Sequence, residues 1–232
     1  MKIQYFIPAM IYSLAFALQA SANHPGSNLD DVMSEKETFF QAINEPDAPS
    51  FELINAQGEL KKLADYEDKI VVLNFIFSNC AGVCPLHSAR IADIQEKINS
   101  TPMKRLVQFI SITTDPGNDV GSTLEEYGQT HGLDPINWEF LTKKADDPED
   151  FTRKLAMEYG VKFQPEEAGQ QMHGVVTFII DRGSRFAAKF HGLKFKPINL
   201  ILYVNGLSHQ EKKQKQSFLV RWWEVIYYYF IH

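Results

Sequence analysis

The run Ile70-Val71-Val72-Leu73-Asn74-Phe75-Ile76-Phe77 constrains the fold more than any other part of the chain. It is nearly continuous in apolar residues, with β-branched and aromatic side chains prominent. That is the pattern of a strand covered on both faces in a parallel sheet. Three residues later the chain reaches Cys80.

The flanking sequence supplies the rest of an α/β domain. Pro85 suits the first position of a helix, and Leu86, Ile91, Ile94 and Ile98 continue an amphipathic face as far as Asn99. Leu106 to Ile112 reads as a second buried strand, and Val120 to His131 as a helix ended by Gly132. Trp138 to Leu141 is a short strand and Pro148 to Tyr159 a helix stopped by Gly160. Val175 to Ile180 turns through Asp181-Arg182-Gly183 into the strand Phe186 to Phe190, and a last helix runs from Pro197 to Val204. Ahead of the central strand, Phe51 to Ile54 and Glu59 to Leu63 form an edge hairpin around Asn55-Ala56-Gln57-Gly58. The order β-β-α-β-α-β-α-β-β-α predicts a thioredoxin-like α/β fold, a central mixed sheet flanked by helices.

The 232 residues, 44% hydrophobic, suffice for one such core with tails at both ends. The 29 acidic and 23 basic residues give a net charge of −6 without a basic block, so nucleic acid is excluded as a partner. Residues 1–22 combine Lys2, an apolar run from Ile3 to Leu18 and Ala20-Ser21-Ala22, the parts of a secretory signal cleaved after Ala22. The competing reading is an uncleaved anchor, but the run is short for a ~20-residue span and contains Pro8. No cysteine lies near the cleavage site, which argues against a lipid-modified N-terminus. Residues 23–48 are a polar leader with one short helix near Glu35 to Ala42, the domain covers 49–207, and 208–232 form a basic and aromatic tail. Within that tail, Lys212, Lys213 and Lys215 precede a stretch from Phe218 to Ile226 that is too short to span a bilayer. It suits either peripheral membrane contact or a terminal helix.

Cys80 and Cys84 are the only cysteines. In an exported chain the default is a structural disulfide. A loop of about five residues, however, contributes only roughly 2 kcal/mol in the chain-entropy model, so a structural staple is a weak reading. Both sulfurs are expected at the N-terminus of the helix that Pro85 begins, with Cys84 as its capping residue. Unpaired N–H groups and the helix dipole there favour thiolate, lowering the pKa from about 8.5. Two functions remain open at this point: a redox-active dithiol, or a pair of soft ligands for a thiophilic metal such as Cu(I).

Redox enzymes of the thioredoxin type usually carry Cys-x-x-Cys and a cis-proline before the facing strand. Here Val176 stands at that position, and no proline occurs between Pro165 and Pro197. Gln171-Met172-His173-Gly174-Val175 instead brings a histidine into the same strand. Two thiolates and one imidazole suit copper, Cu(I) through sulfur and Cu(II) through the added nitrogen. A structural zinc site would normally have four ligands.

On these residues the chain resembles the Sco (SenC) proteins, over roughly Pro49 to Leu207. The family's Cys-x-x-x-Cys-Pro motif is matched by Cys80, Cys84 and Pro85, its distant ligand by His173, and its Asp-Pro segment by Asp115-Pro116. Asn79 and Ala81-Gly82 depart from the usual threonine and Pro-Asp. The resemblance implies an exported, periplasmic copper chaperone, associated with the inner membrane, that helps assemble cytochrome c oxidase. Its implied partners are the copper-containing oxidase subunit, another copper chaperone and a thioredoxin-like reductase. The alternative it allows is a thiol-disulfide oxidoreductase, with Cys80 and Cys84 catalytic, that reduces the cysteines of the oxidase subunit. Around this set, His87 is expected to face solvent, Met172 to pack, and Asp115 to form a turn or to orient the site.

Overall fold

The structure, a computed structural model, describes residues 28–43, 47–163 and 174–210. The signal segment 1–22, Met172, His173 and the tail beyond Gln210 lie outside the described residues.

All seven residues of the central strand β4 (Ile70–Ile76) are buried. Ile70, Val72 and Ile76 enter one core with helices α2 (Val83–Asn99) and α5 (Pro197–His209). Val71, Leu73 and Phe75 enter a second core on the opposite face, with α4 (Phe151–Glu158). A strand with helices on both faces has no wet side, and so its sequence shows no polar alternation.

Strands β5 (Val107–Thr113) and β6 (Trp138–Leu141) lie parallel to β4 on one side, while on the other β7 (Val176–Asp181) runs antiparallel to β4 and β8 (Arg185–His191) antiparallel to β7. The sheet is therefore mixed and flanked by helices, as the sequence predicts. The hairpin of β2 (Glu52–Ile54) and β3 (Leu60–Lys62) is a separate two-stranded sheet. It is tied to the chain after β6 by paired bonds between Ile54 and Thr142, 2.9 and 2.8 Å long.

One difference concerns the segment read as a leader. A helix α1 lies at Leu29–Lys36, ahead of the expected position, and Phe40–Ala42 is a strand, β1, that pairs with β8 as the edge of the main sheet. The polar composition hides this because the segment is held by a few anchors. Phe40 packs edge-on against Phe190 and Tyr203 at 5.3 and 4.9 Å, and the Tyr203 hydroxyl donates to Asp30 at 2.7 Å.

Helix α3 (Ser122–Thr130) covers β6, and at Gly128 it lies directly on the Trp138 ring. A Cβ there would overlap the ring carbons. Alanine favours helix interiors by ~1 kcal/mol over glycine, yet the indole nitrogen is anchored to Ser111 Oγ at 3.1 Å and the ring cannot easily retreat. Gly128→Ala is expected to destabilise the fold by about 1–3 kcal/mol in denaturant unfolding, the opposite of what propensity alone predicts.

Candidate metal centre

Strand β4 ends at Ile76, and Phe77, Ser78 and Asn79 carry the chain to Cys80. From Ile70 to Ala89 the sequence contains no Asp, Glu, Lys or Arg. The loop is fixed from below by Asp119, which is fully buried. Its carboxyl group accepts from the Ser78 backbone N–H at 3.0 Å, from the Ser78 hydroxyl and from the Thr113 hydroxyl at the end of β5. Sequence reasoning missed this residue. In Asp115-Pro116-Gly117-Asn118-Asp119 an acidic side chain reads as an exposed turn residue, and nothing local signals its burial. Asp115 itself holds the turn, with its carbonyl accepting from Asn118 and Asp119 N–H and its carboxylate from the Asn118 side chain.

Helix α2 starts at Val83, two residues before the position expected from Pro85. Pro85 is thus the third residue of the helix, where its missing N–H has no intrahelical acceptor to lose. Gly82 at the cap has no side chain to offer. Cys80 supplies the acceptor instead: its Sγ takes the Cys84 backbone N–H at 3.4 Å. Both cysteines are free thiols, Cys80 half-buried and Cys84 buried.

Burial reverses the expected electrostatics at Cys84. Loss of solvent pushes its thiol well above the ordinary value, and the hydrogen bond and charge of Cys80 and the charge of Asp119 act in the same direction. The Phe77 backbone opposes them only partly. Near the pair, Tyr127 shares a 2.8 Å hydrogen bond with Ser88. Burial raises the Tyr127 phenol above its usual value, with Cys84, Cys80 and Asp119 adding to the shift.

His87 corrects another expectation. It is only 1% exposed, and its Nε2 lies 2.8 Å from Thr177 Oγ1 on β7. Leu86, assigned to the apolar face, is 62% exposed. The buried face of α2 is Cys84, His87, Ser88, Ile91, Ile94, Gln95 and Ile98, a regular three-and-four spacing. Its polar members are all bonded, His87 to Thr177, Ser88 to Tyr127, and Gln95 to Asn137 and the Asp134 backbone. Ile91, Ile94 and Ile98 lie on the buried face as expected, and only Leu86 takes the place that belongs to His87.

Among the described residues, no three His, Cys, Asp or Glu side chains converge on a metal position. Cys80 and Cys84 form a pair, and His173 lies outside the described residues.

A mixed sheet with a free dithiol in the loop after its central strand and at the start of the following helix defines a thioredoxin-like protein. Three solved structures bear out that fold: a SCO1/SenC family lipoprotein from Bacillus anthracis str. Ames, BsSco, and yeast Sco1 with copper bound. Their TM-scores are 0.65, 0.63 and 0.59, with identities of 26%, 22% and 21%. The alignments cover 72%, 72% and 74% of this chain and 98%, 96% and 93% of those chains. Residues 41–206 match the SCO1/SenC family model, and the chain belongs to that family.

Proposed function

We propose that the protein is an exported copper chaperone that holds copper through Cys80, Cys84 and His173 and delivers it to the copper-containing subunit of a respiratory oxidase. The observation that carries this reading is the pair of free thiols, one accessible and one buried, at the end of the central strand. Soft thiolates are suited to Cu(I), and an imidazole extends the set to Cu(II). Gly174 and Val175 lead into β7 antiparallel to β4, from the end of the sheet where the cysteine loop leaves. This supports a third ligand from the residue before Gly174.

Copper here is cargo. Binding would displace the proton that burial holds on Cys84, and the more accessible Cys80 would be the sulfur a recipient reaches first. Val83, Leu86 and Val120 are exposed beside the loop, an apolar surround suited to a protein partner. Of the solved relatives, BsSco is described as a member of a family of cytochrome c oxidase assembly proteins, and the yeast protein holds copper. Export rests on residues 1–22, and among the described residues no helix is long and apolar enough to cross a membrane.

Copper titration of the reduced protein tests the proposal. One equivalent is expected to bind tightly, and His173→Ala is expected to weaken binding and alter the Cu(II) spectrum. Weak, non-stoichiometric uptake, or a spectrum indifferent to His173, would overturn it.

The accessible and buried pair also fits a thiol-disulfide reductant. In that reaction the Cys80 thiolate attacks a partner disulfide, the partner's leaving thiolate takes a proton, and Cys84 resolves the mixed disulfide, so that this chain is oxidised as the partner is reduced. The raised pKa of Cys84 weighs on both readings, since resolution and copper binding each require its thiolate, and the histidine before Gly174 is what favours copper. A reduction rate no greater than that of small free thiols would dispose of this second reading.

A further inference from the structure

Helix α5 is apolar on two sides. Leu200, Tyr203, Val204 and Leu207 are buried against the sheet and its neighbours. On the outer side Ile198 is 55% and Leu202 46% exposed, one helical turn apart. Leu202 and the 41% exposed Leu106 line a groove of about 500 Å³ between α5 and the short helical turn at 102–105, together with Met103, Ile201 and His209. Helices of globular proteins that are apolar nearly all round are normally covered nearly all round.

We infer that this groove is the docking site for the chain's own segment 218–231. The chain leaves α5 beside it, since Ser208 and His209 form part of its wall. The eight residues from Gln210 to Phe218 can extend about 26 Å, more than the roughly 20 Å length of α5, so the whole groove is within reach. Residues 218–231 read Phe-Leu-Val-Arg-Trp-Trp-Glu-Val-Ile-Tyr-Tyr-Tyr-Phe-Ile, with Arg221 and Glu224 as the only charged side chains. In helical form those two fall three positions apart on one side, leaving the remaining surface apolar over about 20 Å, a length that matches α5.

Tethering favours this occupant over a second copy of the chain. A segment joined by a short linker is present at an effective concentration in the millimolar range, whereas a second molecule must be supplied from solution. The family match ends at residue 206, and the three solved relatives are almost fully covered by the aligned part of this chain. The tail is thus an addition beside the family domain, and the exposed face of α5 adjoins its point of attachment. This inference does not depend on copper binding.

The tryptophans provide the test. The chain has three, Trp138 buried beneath α3 and Trp222 and Trp223 in the tail, so changes in shielding report on the tail. In the full chain, without lipid, emission is expected to be blue-shifted and protected from acrylamide. Leu202→Glu in the groove is expected to shift emission to the red and raise quenching. Because Leu202 is exposed, the variant should keep its denaturation midpoint, and Leu106→Glu provides a second block from the opposite wall. Tail tryptophans already fully quenched in the wild type, or unmoved by both variants, would overturn the inference. Protection that appears only with phosphatidylglycerol vesicles would assign the tail to a membrane surface. Protection that grows with protein concentration would assign the groove to a second copy, and either result would also sink the proposal.

Discussion

Cys84→Ser is expected to lower copper affinity by more than about 100-fold, above the ten- to hundred-fold typical of losing an outer partner of a metal ligand. Serine is smaller than cysteine by little and can occupy the same buried position, so the fold should survive. What is lost is the soft thiolate, for which a hydroxyl is a poor substitute. Competition with a Cu(I) chelator measures the effect, and a loss under tenfold would remove Cys84 from the ligand set. The same site fixes the pH response. Folding holds the Cys84 thiol above its ordinary pKa, so at neutral pH the proton is bound and copper must displace it. Affinity should rise with pH, by up to about tenfold per unit for that one proton, and fall on acidification. An affinity independent of pH would mean that the thiolate is already formed.

Asp119→Ala should produce the largest loss of stability, about 3–5 kcal/mol, against a typical total of roughly 5–15 kcal/mol for a domain. Its carboxyl group accepts from the Ser78 amide, the Ser78 hydroxyl and the Thr113 hydroxyl, all within a fully buried position. Alanine leaves these donors facing a void, and an unsatisfied buried donor costs about 1–3 kcal/mol. Asp119→Asn retains one acceptor oxygen and nearly the same volume, and should lose about half as much. Urea unfolding of the two variants separates support of the loop from simple filling of space. A loss below about 1 kcal/mol for alanine would show that the loop finds other acceptors.

The contrast between β4 and α2 shows what the sequence made legible. β4 is defined by its own composition, because every side chain on it except Asn74 is apolar and enters one of the two cores. On α2 the buried face includes His87, Ser88 and Gln95, whose burial depends on Thr177, Tyr127 and Asn137 from distant parts of the chain. No local pattern announces such partners, and the apolar count instead selected Leu86. The same limit applies to β1, where three residues gain their role from pairing with β8.

At the site, cysteine spacing and Pro85 located the dithiol, whereas the direction of its electrostatics was not legible. The helix terminus was visible in the sequence and favours thiolate; the burial that outweighs it at Cys84 appears only once the sheet, α2 and α3 are assembled. Asp119 was hidden for a related reason, since acidic residues in a Pro-Gly-Asn turn normally face water.

The bond from the Cys84 amide to Cys80 Sγ joins the state of the sulfur to the security of the helix behind it. A thiolate, free or metal-bound, carries more negative charge than a thiol and accepts more strongly. A disulfide sulfur accepts weakly. The first turn of α2 should therefore be held most firmly when Cys80 is charged and should fray most readily when the pair is oxidised. A recipient meeting this surface would encounter not only a different sulfur in each state but a helix end of different stiffness.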